Sequence, residues 1–130
     1  MYSALLLDHF QNPRNVGELE APAIAVEVSN PACGDILRLS ARFAEERVVE
    51  VRYKVRGCTA SIAAGSALTE WLLGKRRDEL AGFEAAAIES ALGGLQPESK
   101  HAAVLCGDGV KRLRAAVSQA REPSKNQSHR

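Results

Sequence analysis

Ile24, Val26 and Val28 alternate with polar or small neighbours, Leu37, Leu39, Ala41 and Phe43 do likewise, and Val49, Val51, Tyr53 and Val55 do so a third time. A period of two over such short stretches predicts three half-buried strands. The links between them, Asn30-Pro31-Ala32-Cys33-Gly34-Asp35 and Ala44-Glu45-Glu46-Arg47, are of hairpin length, so the simplest topology is an antiparallel three-stranded meander. One face of that sheet needs cover.

The rest of the pattern has the period of a helix. Tyr2 to Phe10 predicts a short N-terminal helix, broken by Asn12-Pro13-Arg14-Asn15 and Gly17. Ala60, Ala63, Ala64, Ala67, Leu68, Trp71 and Leu72 form an apolar stripe at three-four spacing, stopped near Gly74. Its small residues let it lie close to the sheet. Asp78 to Leu92 predicts one or two short helices ended by Gly93-Gly94, and Gln96-Pro97-Glu98-Ser99 leads into a last helix from about residue 100. Its stripe is Ala102, Leu105, Cys106, Gly109, Leu113, Ala116 and Val117. The expected fold is therefore α+β, a three-stranded antiparallel β-meander packed on one face by helices, in one domain over residues 1–121. Residues 122–130 have no aliphatic anchor and are expected to form a disordered polar tail.

Charge narrows the classes of partner. Seventeen Lys and Arg against sixteen Asp and Glu leave a formal net charge of +1, so no whole-molecule field favours nucleic acid or an anionic membrane. No apolar run approaches the length of a membrane span, and Met1 to Phe10 lacks the leading basic region of a signal peptide; the expected location is the cytoplasm. Three cysteines, at 33, 58 and 106, do not make a disulfide framework, which turns attention to chemistry at sulfur.

Cys33 falls in a predicted turn where Gly34 can take a positive backbone angle, freeing the thiol and the Asp35 carboxylate to face a common centre. Cys58 follows the third strand at Gly57 and immediately precedes a helix, where free backbone amides and the helix dipole favour thiolate. His101, at the start of the last helix, can reach the same sheet edge. Taken singly, each group has a plainer reading: an isolated cysteine is often a buried small hydrophobe, and Asp after Gly is a turn former. His9 and His129 are read as surface residues without partners. Arg76-Arg77 and Lys111-Arg112 are read as solvated charges that could attract an acidic partner near a thiol.

YSALLLDHFQNPRNVG at the start, NPACGD in the first hairpin, GCTASIAAGSALTE into the long helix and HAAVL opening the last one resemble the iron-sulfur cluster scaffold family of the IscU and NifU N-terminal type. The resemblance spans residues 2 to 117 with its motifs in order. It implies a surface cluster site on an α+β fold, loaded with iron and with sulfur from a cysteine desulfurase, and a product passed to recipient apo-proteins. Carried over residue by residue, it implies Cys33 and Cys58 as two of three ligand cysteines, Asp35 as the acid that assists ligation and release, and His101 as the histidine before the third cysteine. The expected cargo is a labile iron-sulfur cluster of the 2Fe-2S type, with zinc as the alternative metal, and the expected role is carrier, not enzyme.

Two departures from the family pattern stand out. Ala102 occupies the place of the third cysteine, and the nearest thiol is Cys106. Four helical residues advance about 6 Å and turn roughly 400°, so Cys106 has the right direction and the wrong height. It reaches a metal only if the Cys106-Gly107-Asp108-Gly109 segment deforms; the favoured reading is a core-facing thiol, with ligation the alternative. Leu95-Gln96-Pro97-Glu98-Ser99 replaces a Leu-Pro-Pro-Val-Lys segment, so recognition by a dedicated Hsp70-type chaperone is not expected. A shortage of thiolates in one chain also admits a cluster shared by a homodimer. Two rival functions remain: a zinc-bound sulfur acceptor or modulator of a cysteine desulfurase, and an interaction domain that docks a partner without metal.

Overall fold

The three alternating stretches form β1 (Ile24–Ser29), β2 (Ile36–Ala44) and β3 (Arg47–Arg56) in a computed structural model that describes residues 2–31 and 34–120. The sheet order is β1-β2-β3, antiparallel throughout, with Ser29 opposite Ile36 and Ile36 opposite Arg56. Because all three strands reach the same end at that row, the β1–β2 turn and the exit from β3 lie side by side. Leu37, Leu39, Ala41, Val51 and Tyr53 point to the buried face. The other face carries ion pairs such as Arg38 with Glu18 and Glu27 and Arg42 with Glu50, as a half-solvated antiparallel sheet should.

The alternation of β3 changes phase where simple periodicity does not. Val49 was expected inward, yet it is exposed and Val48 is buried. Arg42 pairs with Glu50 and Phe43 with Val48, so Val49 is the extra residue of a β-bulge, which turns the strand's inner set over by one position.

Among the described residues four helices accompany the sheet: α1 (Ala4–Gln11), α2 (Thr59–Leu72), α3 (Ala85–Ala91) and α4 (His101–Ala120). Short 3-10 turns at Arg77–Gly82 and Pro97–Ser99 precede the last two. Helix α2 packs on β3, α1 and α4, while α4 lies along β1 and β2. Glycine sets both approaches. A Cβ on Gly65 would sit 2.4 Å from two ring carbons of Tyr53, and one on Gly109 would sit 2.9 Å from Leu37 Cδ2. Helix α4 runs unbroken through Cys106-Gly107-Asp108-Gly109, and Gly109 serves its close contact with the sheet instead of deformation.

His9 is the other correction. It is buried, with Nδ1 2.8 Å from Ser66 Oγ and Nε2 3.7 Å from Glu70 Oε1. Ser66 Oγ also accepts from the Arg14 backbone N–H at 2.9 Å, which ties the Asn12 to Asn15 segment to α2. Leu6 and His9 are three apart on α1 and share its buried face. Among the described residues no helix is long and apolar enough to cross a membrane. His129 and the tail at 122–130 lie outside the described residues.

Candidate metal centre

Asp35 and Gly57 stand just beyond the paired Ile36 and Arg56, so strand register alone makes them neighbours. The hairpin closes with Gly34 N–H donating to Asn30 O, Asn30 N–H donating to Asp35 O at 2.9 Å, and Gly34 at φ +78°. That angle is one that a side chain beyond glycine disfavours. Opposite, an ideal Cβ on Gly57 would lie 2.5 Å from Asp35 Cγ and 2.6 Å from Oδ1. Glycine at 57 thus makes the hollow that the carboxylate fills.

Cys58 is the N-cap residue of α2, and its side chain makes no capping bond to the helix amides. The thiol is left to face outward from the sheet end, half-buried, 3.5 Å from Asp35 Oδ2 and 3.5 Å from Ser61 Oγ. His101 opens α4 and places Nε2 3.4 Å from Cys58 Sγ and 3.4 Å from Asp35 Oδ2. Asp35, Cys58 and His101 each offer one ligand atom, and these atoms lie within 4.8 Å of one another. Two helix N-termini flank them, so the partial positive charge of the free amides favours anionic ligands and cargo there.

The Asp35 side chain is only 7% exposed, and that of His101 is 27% exposed. Burial acts to raise the Asp35 pKa, but hydrogen bonds from the Ser61 hydroxyl and from the Cys58 thiol and backbone, with the nearby His101, outweigh it and hold the carboxyl below its ordinary value. Asp35 is therefore a carboxylate at neutral pH. Ser61, three residues into the helix from Cys58, orients it; the Cys-x-x-Ser spacing at a helix start was the available sequence signal, and simple ligand counting passes it by.

A tetrahedral ion bonded to sulfur near 2.3 Å and to nitrogen and oxygen near 2.0 Å needs donor separations of about 3.3–3.6 Å. The three observed edges fall in that range. Thiolate, imidazole and carboxylate suit zinc or iron. Cys33 lies outside the described residues. Cys106 is not brought to these atoms: it is 1% exposed, its thiol donates to Ala64 O at 3.5 Å, and burial pushes its pKa up to about 12.

Comparison with known proteins follows the same outline. Residues 1–126 match the family described as NifU-like N terminal domain. The iron-sulfur cluster assembly scaffold protein IscU of Escherichia coli K12 is 36% identical over 125 residues, covering 93% of this chain and 97% of that one. IscU 1 of Archaeoglobus fulgidus is 38% identical over 112 residues, covering 86% of this chain and 73% of that one. Among solved structures, a NifU-like N-terminal protein from Brucella abortus superposes with TM-score 0.66 at 17% identity, covering 93% of this chain and 94% of that one. That last likeness speaks for the fold.

Proposed function

The chain belongs to the NifU-like N-terminal domain family, and from that premise we propose that it is a scaffold on which iron-sulfur clusters are assembled and from which they are handed on. The observation that carries this reading is the convergence of Asp35 Oδ2, Cys58 Sγ and His101 Nε2 at one solvent-reachable edge. In this reading Cys33 and Cys58 supply thiolates, Asp35 and His101 complete the donor set, and the sulfur comes from a cysteine desulfurase. Oxygen and imidazole hold iron less firmly than thiolate does, which suits a cargo that must leave for recipient apo-proteins. The protein acts as a carrier; bond making and breaking at sulfur belongs to the desulfurase. The Leu95-Gln96-Pro97-Glu98-Ser99 segment departs from the chaperone-binding pattern, so recognition by a dedicated Hsp70-type chaperone is not expected.

One observation favours a second reading. The three donors surround a single centre, as one zinc or iron ion requires, whereas a two-iron cluster spreads its protein donors over two metals. A zinc-loaded form that accepts sulfur for, or modulates, the desulfurase uses the same residues. Anaerobic reconstitution with iron and sulfide separates the two, with iron, acid-labile sulfide and zinc quantified per chain. Uptake of iron and sulfide together, abolished by Cys58→Ser, supports the scaffold. Retained zinc with no bound sulfide supports the acceptor and overturns the scaffold.

A further inference from the structure

Helix α4 has a second surface, away from its first residue, where charge is left unsatisfied. From Gly109 to Ala120 it carries Lys111, Arg112 and Arg114 and no acid. Stabilisation by the helix dipole does not account for them, because that effect is confined to the last turn and all three precede it. Elsewhere the basic side chains are mostly held: Arg14 by Asp8, Arg38 by Glu18, Lys100 by Glu89. Lys111 and Arg114 meet no carboxylate or carbonyl among the described residues. In a chain of net charge +1 this is a local excess.

Both cations line a cavity of about 500 Å³ between α4 and the 3-10 turn Arg77–Gly82, with Ala81 and Ala115 as apolar walls. Arg77 adds a third cation, itself fixed by Glu46 at 3.0 Å. A second cavity of about 270 Å³ shares Lys111 and Arg114 and continues along the helix over Gly107, between Phe83 and Val104. Gly107 leaves this slot open, since even a Cβ there would touch the Phe83 ring at 3.6 Å. Val104 is 54% exposed beside it. Together the cavities make one groove, apolar at one end and basic at the other, reaching about 20 Å along α4 from Val104.

We propose that this groove docks an amphipathic acidic segment of a partner protein, an apolar side chain entering the slot over Gly107 and carboxylates meeting Lys111 and Arg114. Its apolar end lies one helical turn from His101, so a partner seated there has its body at the metal centre; that consequence rests on the scaffold reading, while the docking itself does not. Nucleic acid fits less well. Asp78 and Asp108 also line these cavities, but Asp78 is held by Arg76 at 3.3 Å, so Asp108 alone of the two opposes Lys111 and Arg114 and the groove stays net positive. The Phe83 ring is engaged edge-on with Trp71 at 5.0 Å instead of lying open for base stacking.

The probe is a fluorescent synthetic peptide with Leu at helical spacing between Glu residues, read by anisotropy on the full chain. Wild type and Cys58→Ser bind it equally. Combined Lys111→Glu and Arg114→Glu weakens binding at least about tenfold, and Gly107→Leu weakens it several-fold by filling the slot. The charge-reversed side chains are exposed, so an unchanged melting temperature shows that the fold is intact even where Gly107→Leu fails to fold. Unchanged affinity in the charge-reversed protein overturns the proposal. So does equal binding of an all-Glu peptide or of single-stranded RNA of the same charge. Iron uptake by the charge-reversed protein stays at the wild-type level; peptide binding by a wild type that takes up no iron or sulfide would sink the scaffold reading and leave the groove standing.

Discussion

Asp35 and Asp108 each end a Cys-Gly-Asp tripeptide, yet the first carboxylate is buried beside Cys58 and His101 and the second stands in solvent. Backbone geometry makes the difference. In the hairpin, Gly34 at φ +78° turns the chain so that Asp35 meets Gly57 across the sheet. On α4 residues two apart point about 200° away from each other, so a core-facing Cys106 forces Asp108 outward. The two cannot share a centre on an unbroken helix. The same tripeptide thus sets its acid beside Cys58 and His101 in one place, and gives a buried packing thiol with a solvated acid in the other.

The largest effects should separate the two copies by what they disturb. Cys58→Ser or Asp35→Ala is expected to lower zinc affinity about 100-fold or more, since each removes a donor of the triad. Cys106→Ala should leave zinc affinity unchanged while costing about 1 kcal/mol of stability, the loss of a small buried group. Chelator competition and urea unfolding on the same proteins measure both. A Cys106 variant that binds zinc as weakly as Cys58→Ser would erase the distinction.

Two glycines sharpen it further. Gly65→Ala drives a methyl into the buried Tyr53 ring and should cost about 2–3 kcal/mol with zinc affinity intact. Gly57→Ala meets only the end of the Asp35 side chain, which can rotate away. It should therefore cost about 1 kcal/mol or less and instead lower zinc affinity about tenfold, the signature of a displaced donor. Equal stability losses without a change in zinc binding would mean that Gly57 serves packing alone.

What the sequence made legible follows the range of the physics. Strands β1 and β2 and the stripes of α2 and α4 show in it because burial imposes period two or 3.6 on neighbouring positions. Asp35, Cys58 and His101 could be named because turn and helix-start chemistry is local, and register then brings them together. Val49 departs from the alternating pattern because a bulge depends on the partner strand, and no pattern within β3 reports it. The burial of His9 has no local sign, because its partners, Ser66 and Glu70, lie on another helix far along the chain. Only the spacing of Leu6 and His9 hinted at a shared face.

His9, packed between α1 and α2, also predicts a pH effect. Burial, aided by the nearby Arg14, lowers its pKa below the ordinary 6.5, against the opposing pull of Glu70 and Asp8. The unfolded chain therefore takes up the proton first. Stability is full above about pH 6.5 and falls as the pH drops through the lowered folded value, with Asp35 adding a further loss in the more acidic carboxylate range. Urea midpoints measured down the pH scale should decline over the histidine window in the wild type and stay flatter in His9→Gln. The smallest effect is expected at the β2–β3 turn, where Glu45 and Glu46 have φ of 52° and 71°. Glu45→Asn, a residue that tolerates this conformation, should raise stability by about 0.5 kcal/mol in the same assay.

In the proposed scaffold the metal centre draws on Asp35, Cys58 and His101 with Cys33, and Cys106 stays in the core. X-ray absorption at the zinc edge of the zinc-loaded protein tests it most directly. The expected spectrum has two sulfur neighbours near 2.3 Å and two nitrogen or oxygen neighbours near 2.0 Å, and Cys106→Ala leaves it unchanged. Three sulfur neighbours in the wild type, falling to two in that variant, would contradict it.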